Sequence, residues 1–116
     1  MPPPSLFTRI IRRELPADIL HEDDHCIAIR DINPRAPVHI LLIPKPEIPR
    51  LADATPDHQK LLGHLLLTAS QIAQQHGIGD AFRLIINNGE GAGQTVFHLH
   101  LHILGGQKTS EASLGF

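Results

Sequence analysis

Histidine recurs at every second position near the end of the chain. His98, His100 and His102 are separated by Leu99 and Leu101 and followed by Ile103 and Leu104, so three of the nine histidines share one short stretch. On a β-strand, alternate side chains point to the same face. The spacing predicts three imidazoles in a row, roughly 7 Å apart, with Leu99, Leu101 and Ile103 turned to the core. That reading leaves the histidine face open to water or to a ligand. Lys, Thr or Glu would solvate a strand face without titrating near neutral pH, so solvation alone is a poor reason for three histidines.

Two chemistries fit the pattern. Imidazoles at i and i+2 can converge on a metal ion, with His102 or His39 as a third ligand and Asp31 or Glu90 arriving from loops to orient them. Alternatively, a neutral imidazole can attack phosphorus and form a covalent intermediate that divides one hard displacement into two. Its second nitrogen must then donate to an acceptor. Flanking imidazoles can bind phosphoryl oxygens or pass a proton to the leaving group. Clustered imidazoles also depress one another's pKa, which keeps them neutral. The loop just before the histidines, NNGEGAGQ at 87–94, has glycines that let backbone N–H groups approach an anion. It brings Asn87, Gln94 and Thr95 towards the same strand end. It lacks the Gly-Lys-Ser/Thr of a Walker loop. Imidazoles combined with neutral donors favour phosphorus chemistry over the metal.

These side chains need elements to position them. Ser5 suits a helix N-cap, with Leu6, Phe7, Ile10 and Ile11 on one face, Arg9, Arg12 and Arg13 largely opposite, and Pro16 as the stop. Strands are predicted over 19–21, 25–30 and 38–43, with the proline-containing loop 31–37 between the last two. Thr55-Pro56-Asp57 reads as a helix start. Leu61, Leu62, Leu65, Leu66, Ala69, Ile72 and Ala73 follow at helical spacing, and Gly77 suits the position just past the end. His58, His64 and His76 fall on the surface or rim of that helix. Further strands are predicted over 82–86 and 95–104. Both connecting loops are too short for parallel crossovers, so each joins antiparallel neighbours. The expectation is an α+β domain spanning 1–116, with helices on one face of an antiparallel sheet. Residues 1–4 and 107–116 are expected to be irregular or flexible.

Composition narrows the classes. The chain has 116 residues, 41% hydrophobic and 19% charged, with a formal charge of −2. That is enough for one core and too little basic charge for a nucleic-acid footprint. Four Phe with no Trp or Tyr argue against stacking platforms for single strands. The single cysteine, Cys26, forbids an internal disulfide or a Cys-x-x-Cys motif and reads as a small buried residue. No apolar run reaches the ~20 residues that span a bilayer. The N-terminal segment lacks the continuous apolar core of a signal peptide. A cytoplasmic protein without membrane or nucleic-acid partners is the expectation.

The sequence HLHLHIL at 98–104 resembles the histidine triad (HIT) pattern, alternating histidine with apolar residues. Other segments resemble the same family: IIRRELP at 10–16, IRDINP at 29–34, PVHILLIPK at 37–45, NNG at 87–89, GQTVF at 93–97 and Gly105-Gly106. The similarity runs nearly to Gly106 and is greatest to the Hint-like branch of histidine triad nucleotide-binding proteins. It implies a HIT-like fold, an antiparallel sheet of about five strands with one long and one short helix. It also implies purine nucleoside phosphoramidase activity on nucleoside 5′-monophosphates linked to an amine, with no cofactor required. By the same resemblance, His100 is the nucleophile. His102 and His98 bind phosphate and assist proton transfer, with His39 beside them. Asp31 accepts the ribose hydroxyls and Ile32 lies against the base, while Asn87, Gly93, Gln94 and Thr95 contribute to nucleotide binding. Purine nucleotides of the AMP or GMP type are the implied ligands, and a homodimer with joined sheets the implied assembly. The family often ends in a Trp-Pro-Pro-Gly-like tail, which KTSEASLGF replaces here, and Asn88 stands where an acid often follows the first Asn. A dinucleoside polyphosphate hydrolase of the sister branch, a non-catalytic nucleotide-binding dimer and a metal-binding protein remain the alternatives.

Overall fold

The computed structural model describes residues 3–113 of the chain. In chain order its main elements are α1 (Leu6–Ile11), β1 (Ile19–Glu22), β2 (Cys26–Arg30), β3 (Val38–Pro44), α2 (Gln59–Gln75), β4 (Phe82–Ile85) and β5 (Leu101–Gly105). The strands form one sheet in the order β1-β2-β3-β5-β4, and every neighbouring pair is antiparallel. Among the described residues no helix is long and apolar enough to cross a membrane.

The expectation that both helices share one face of the sheet is overturned. Strand alternation sorts the apolar residues of β2, β3 and β5 into two layers. Ala28, Ile40, Leu42, Leu101 and Ile103 pack with Leu65, Ala69, Ile72 and Ala73 of α2. Ile27, Ile29, Leu41 and Ile43 pack with Phe7 and Ile10 of α1. Each helix therefore covers its own face, and β3 is buried along nearly its whole length. A strand buried on both sides reads as a continuous apolar run, which residues 38–43 show apart from His39.

Local chemistry explains the helix ends. Ser5 caps α1, its hydroxyl accepting from the Thr8 N–H. Pro16 does not end this helix, contrary to expectation. Arg13 takes a left-handed φ of 63°, and the N–H groups of Arg13 and Glu14 return to the carbonyls of Ile10 and Arg9. That is a Schellman stop completed before the proline is reached, with arginine where glycine is usual. The predicted start of α2 opens instead as a 3-10 turn, Pro56–His58. It is fastened by a reciprocal cap in which His58 Nδ1 accepts the Thr55 N–H. Gly77, at φ 77°, occupies the predicted position past the end. At the end of β5, Gly105 leaves room for Ile78: a Cβ there would lie 2.7 Å from its Cδ1. Residues 106–113 form no helix or strand. The parts of the predicted irregular termini at 1–2 and 114–116 lie outside the described residues.

Candidate active site

The last strand is shorter than its pattern suggests. It begins at Leu101, so His98 and His100 precede it in irregular backbone and only His102 lies within it. The expectation of an open histidine face is also corrected. His98 is 0% exposed and His100 8%, because α1 covers this side and Phe7 meets both rings edge-on, at 6.0 and 5.0 Å between centroids. Burial removes water from the imidazoles and makes each hydrogen bond decide a tautomer.

Those tautomers follow from partners that can only donate or only accept. His98 Nε2 lies 2.7 Å from the Pro44 carbonyl, so it carries the proton and donates. Its Nδ1 is then an acceptor, 2.7 Å from the Ser5 hydroxyl. Glu47 accepts the Ser5 N–H at 2.6 Å and the Thr8 hydroxyl at 2.7 Å, which ties α1 to this ring. Both nitrogens of His98 are thus engaged by the protein. His100 Nδ1 lies 2.7 Å from the His98 carbonyl and donates to it. The proton is placed on Nδ1, and Nε2 is a bare lone pair with no hydrogen-bond partner among the described residues.

A second relay begins at the backbone. The Arg35 N–H donates to His39 Nδ1 at 3.0 Å, which leaves the proton of neutral His39 on Nε2. That nitrogen lies 2.9 Å from His102 Nδ1 and 3.3 Å from Asp31 Oδ2. When His39 donates to His102, the His102 proton sits on Nε2. The rings of His100 and His102 are 5.1 Å apart, so the two relays converge.

The electrostatics keep the group uncharged. Burial lowers the pKa of His98, of His100 and of His39. Burial, reinforced by the charges His100 and His39 would carry, lowers His102 to about 4. Asp31 opposes these shifts at His39, His100 and His102. Near neutral pH the cluster is a set of neutral imidazoles with defined donors and acceptors. Such a set can attack an electrophile at one nitrogen and supply a proton at another. Asp31, His39 and His102 also offer donor atoms all within 4.8 Å of one another, a grouping that fits a cation.

The other predicted residues occupy the rim. Ile32 is 91% exposed on the loop before β3. Asn87 is half-buried just after β4, and Thr95 is exposed. Gly93, at φ 93°, closes the 3-10 turn Glu90–Ala92. Gln94 is buried, and its amide is spent inside the loop, accepting the Gly89 N–H and donating to the carbonyls of Pro49 and Val96. Its place is to shape the loop that delivers Thr95 and the histidines. Cys26 stands apart: it is fully buried, and burial with the nearby Asp23 charge pushes its thiol up to about 12, the reverse of an activated nucleophile. Sequence reading missed Phe7, Thr8, Glu47, Arg35 and Pro44. Ser5 was read only as a cap, although it also meets a ring 93 positions away. No local pattern signals such a contact.

A HIT domain model matches residues 12–109. An uncharacterized HIT-like protein of Synechocystis is 62% identical over 106 residues, covering 91% of this chain and 93% of that protein. The purine nucleoside phosphoramidase of Escherichia coli is 47% identical over 104 residues, 89% of this chain and 87% of the relative. Among solved structures, a HIT family hydrolase from Clostridium thermocellum superposes with a TM-score of 0.93 at 43% identity, covering 98% of this chain and all of that one. One from Legionella pneumophila gives 0.89 at 41%, covering 91% and 96%. The motif at residues 98–104, the five-stranded antiparallel sheet and these likenesses agree: the chain belongs to the HIT family.

Proposed function

We propose that the protein is a purine nucleoside phosphoramidase. It hydrolyses nucleoside 5′-monophosphates linked through phosphorus to an amine, by way of a nucleotidyl group carried on His100 and without a metal. The observation that carries this reading is the 2.7 Å bond from His100 Nδ1–H to the His98 carbonyl. It fixes the tautomer and raises the basicity of Nε2. In the first step Nε2 forms a bond to phosphorus and the P–N bond to the amine breaks. His102 Nε2–H donates to the departing nitrogen, and its own Nδ1 is backed by His39. In the second step water attacks phosphorus, the P–Nε2 bond breaks, and the water proton restores His102. Nucleoside monophosphate is released.

Asp31 accepts the ribose hydroxyls, and exposed Ile32 covers the base. Asn87, Gly93 and Thr95 face the sugar–phosphate side, with Gln94 holding their loop. His98 acts by orienting His100. The named phosphoramidase relative supports this substrate class. A dinucleoside polyphosphate fits the same nucleophile and differs only in its leaving group, so it is the competing substrate. We place the protein in the cytoplasm as a homodimer. Two features support the dimer: β4 is an edge strand of the sheet among the described residues, and Leu66 and Leu67 of α2 are 54% and 70% exposed.

The test is turnover of adenosine 5′-phosphoramidate and of a diadenosine polyphosphate by the wild type and by His100→Ala, with AMP binding measured alongside. The expected result is preference for the phosphoramidate, a loss of at least ~10³-fold in His100→Ala and AMP binding largely retained. Wild-type turnover in the variant contradicts the assignment. Preference for the polyphosphate moves the protein to the competing substrate class.

A further inference from the structure

A second cluster of metal-ligating side chains lies across the sheet from the triad, and the reaction above does not use it. It sits where the β1–β2 hairpin meets α2. Asp23, in the turn between the two strands, is its centre. His21 Nε2 from β1 is 3.1 Å from Asp23 Oδ2, and His64 Nε2 from α2 is 2.8 Å from the same oxygen. Cys26 Sγ from β2 lies 3.4 Å from both Asp23 oxygens. The donor atoms of His21, Asp23 and Cys26 all lie within 4.8 Å of one another; His64 stands outside that set and meets it through the shared Asp23 oxygen, from the opposing helix.

From this geometry we propose that His21, Asp23, Cys26 and His64 form a binding site for a zinc-class divalent cation. Ligands ~2.0–2.3 Å from a tetrahedral ion stand a little over 3 Å apart, close to the distances from Asp23 to His21, His64 and Cys26. Two imidazoles, a thiolate and a carboxylate are a donor set such an ion prefers. The support around them is already built. Asp23 Oδ1 accepts the N–H groups of His25 at 2.7 Å and Cys26 at 2.9 Å, which leaves Oδ2 for the ion. The His25 ring packs edge-on against His64 and restrains its plane. Cys26 forms the buried floor, while His21 and Asp23 are about a quarter exposed and His64 is 37% exposed, so an ion enters from solvent. Binding displaces the Cys26 thiol proton and replaces the His–Asp hydrogen bonds with bonds to the ion, joining hairpin to helix through one atom.

Because Cys26 is the only cysteine in the chain, sulfur ligation reports this site alone. The triad cluster holds no sulfur. The experiment is a titration of cobalt(II) into the full-length, metal-stripped protein, followed by the near-ultraviolet thiolate-to-cobalt charge-transfer band. The account expects the band to saturate at one equivalent, to disappear on adding zinc, and to be absent from Cys26→Ser. His64→Ala, which removes a half-exposed side chain and keeps the buried cysteine, should lose the saturable band while retaining its circular dichroism. Absence of the band in the wild type overturns the site, whether or not cobalt binds elsewhere. A band unchanged in His64→Ala overturns the four-residue assignment. Neither result bears on phosphoramidase turnover, so this proposal and the catalytic one fail separately.

Discussion

At the scale of residues, the candidate site depends on where protons sit. Carbonyl acceptors and backbone donors decide the tautomers of His98, His100 and His39 before any ligand arrives. Burial then keeps these rings uncharged, with a consequence for stability. The His102 pKa lies near 4 in the folded chain against 6.5 for the free side chain. Below pH 6.5 the unfolded chain takes up a proton that the folded one refuses. Stability is therefore fully present above 6.5 and is lost as pH falls towards 4, by on the order of 2 kcal/mol for this residue. His39, His98 and His100 shift in the same direction and add to the loss. Thermal unfolding between pH 7 and 4.5 should show a midpoint falling across that window. A flat midpoint would place the imidazoles in water rather than in the protein.

At the scale of elements, the end of α1 tests whether local backbone chemistry is read correctly. Arg13 holds a left-handed conformation that costs a non-glycine residue ~1–2 kcal/mol. Its ion pair with Glu22 is exposed and returns little. Arg13→Gly should raise stability by about 0.5–1 kcal/mol, measured by urea unfolding, with the slope unchanged; a loss would show that the ion pair outweighs the strain. The sequence displayed this helix's start, through Ser5 and the Leu6, Phe7, Ile10 and Ile11 face, but not its end. Nothing in the residue type marks Arg13 as a stop, and Pro16 stands three residues beyond it. The strand at 95–104 was overread for a related reason. Alternation of His with apolar residues persists through His98 and His100, yet their backbone leaves the ladder so that the His98 carbonyl can reach His100.

At the scale of the whole molecule, apolar and β-branched runs made the five strands legible, and loops too short for parallel crossovers made their antiparallel pairing legible. The two-sided cover was not. A helix pattern states which of its own faces is apolar, but not which face of the sheet it meets. The triad, His39 and Asp31 were visible as residue types, whereas the network through Ser5, Thr8 and Glu47 joins segments roughly 40 to 90 positions apart. The edge strand β4 and the exposed Leu66 and Leu67 lead to one prediction at this scale. Sedimentation at micromolar concentration should give a dimer, and Leu67→Glu should shift it towards monomer. A wild-type chain that sediments as a monomer would contradict the proposed assembly.

The central claim is a covalent nucleotidyl group on His100. Its most direct measurement is mass spectrometry of the protein mixed with adenosine 5′-phosphoramidate in EDTA and quenched in base, because a phosphorus–histidine bond is labile to acid. The account predicts turnover together with an adenylyl adduct mapped to His100. Turnover without any adduct, or activity that returns only when a divalent metal is added, would contradict it.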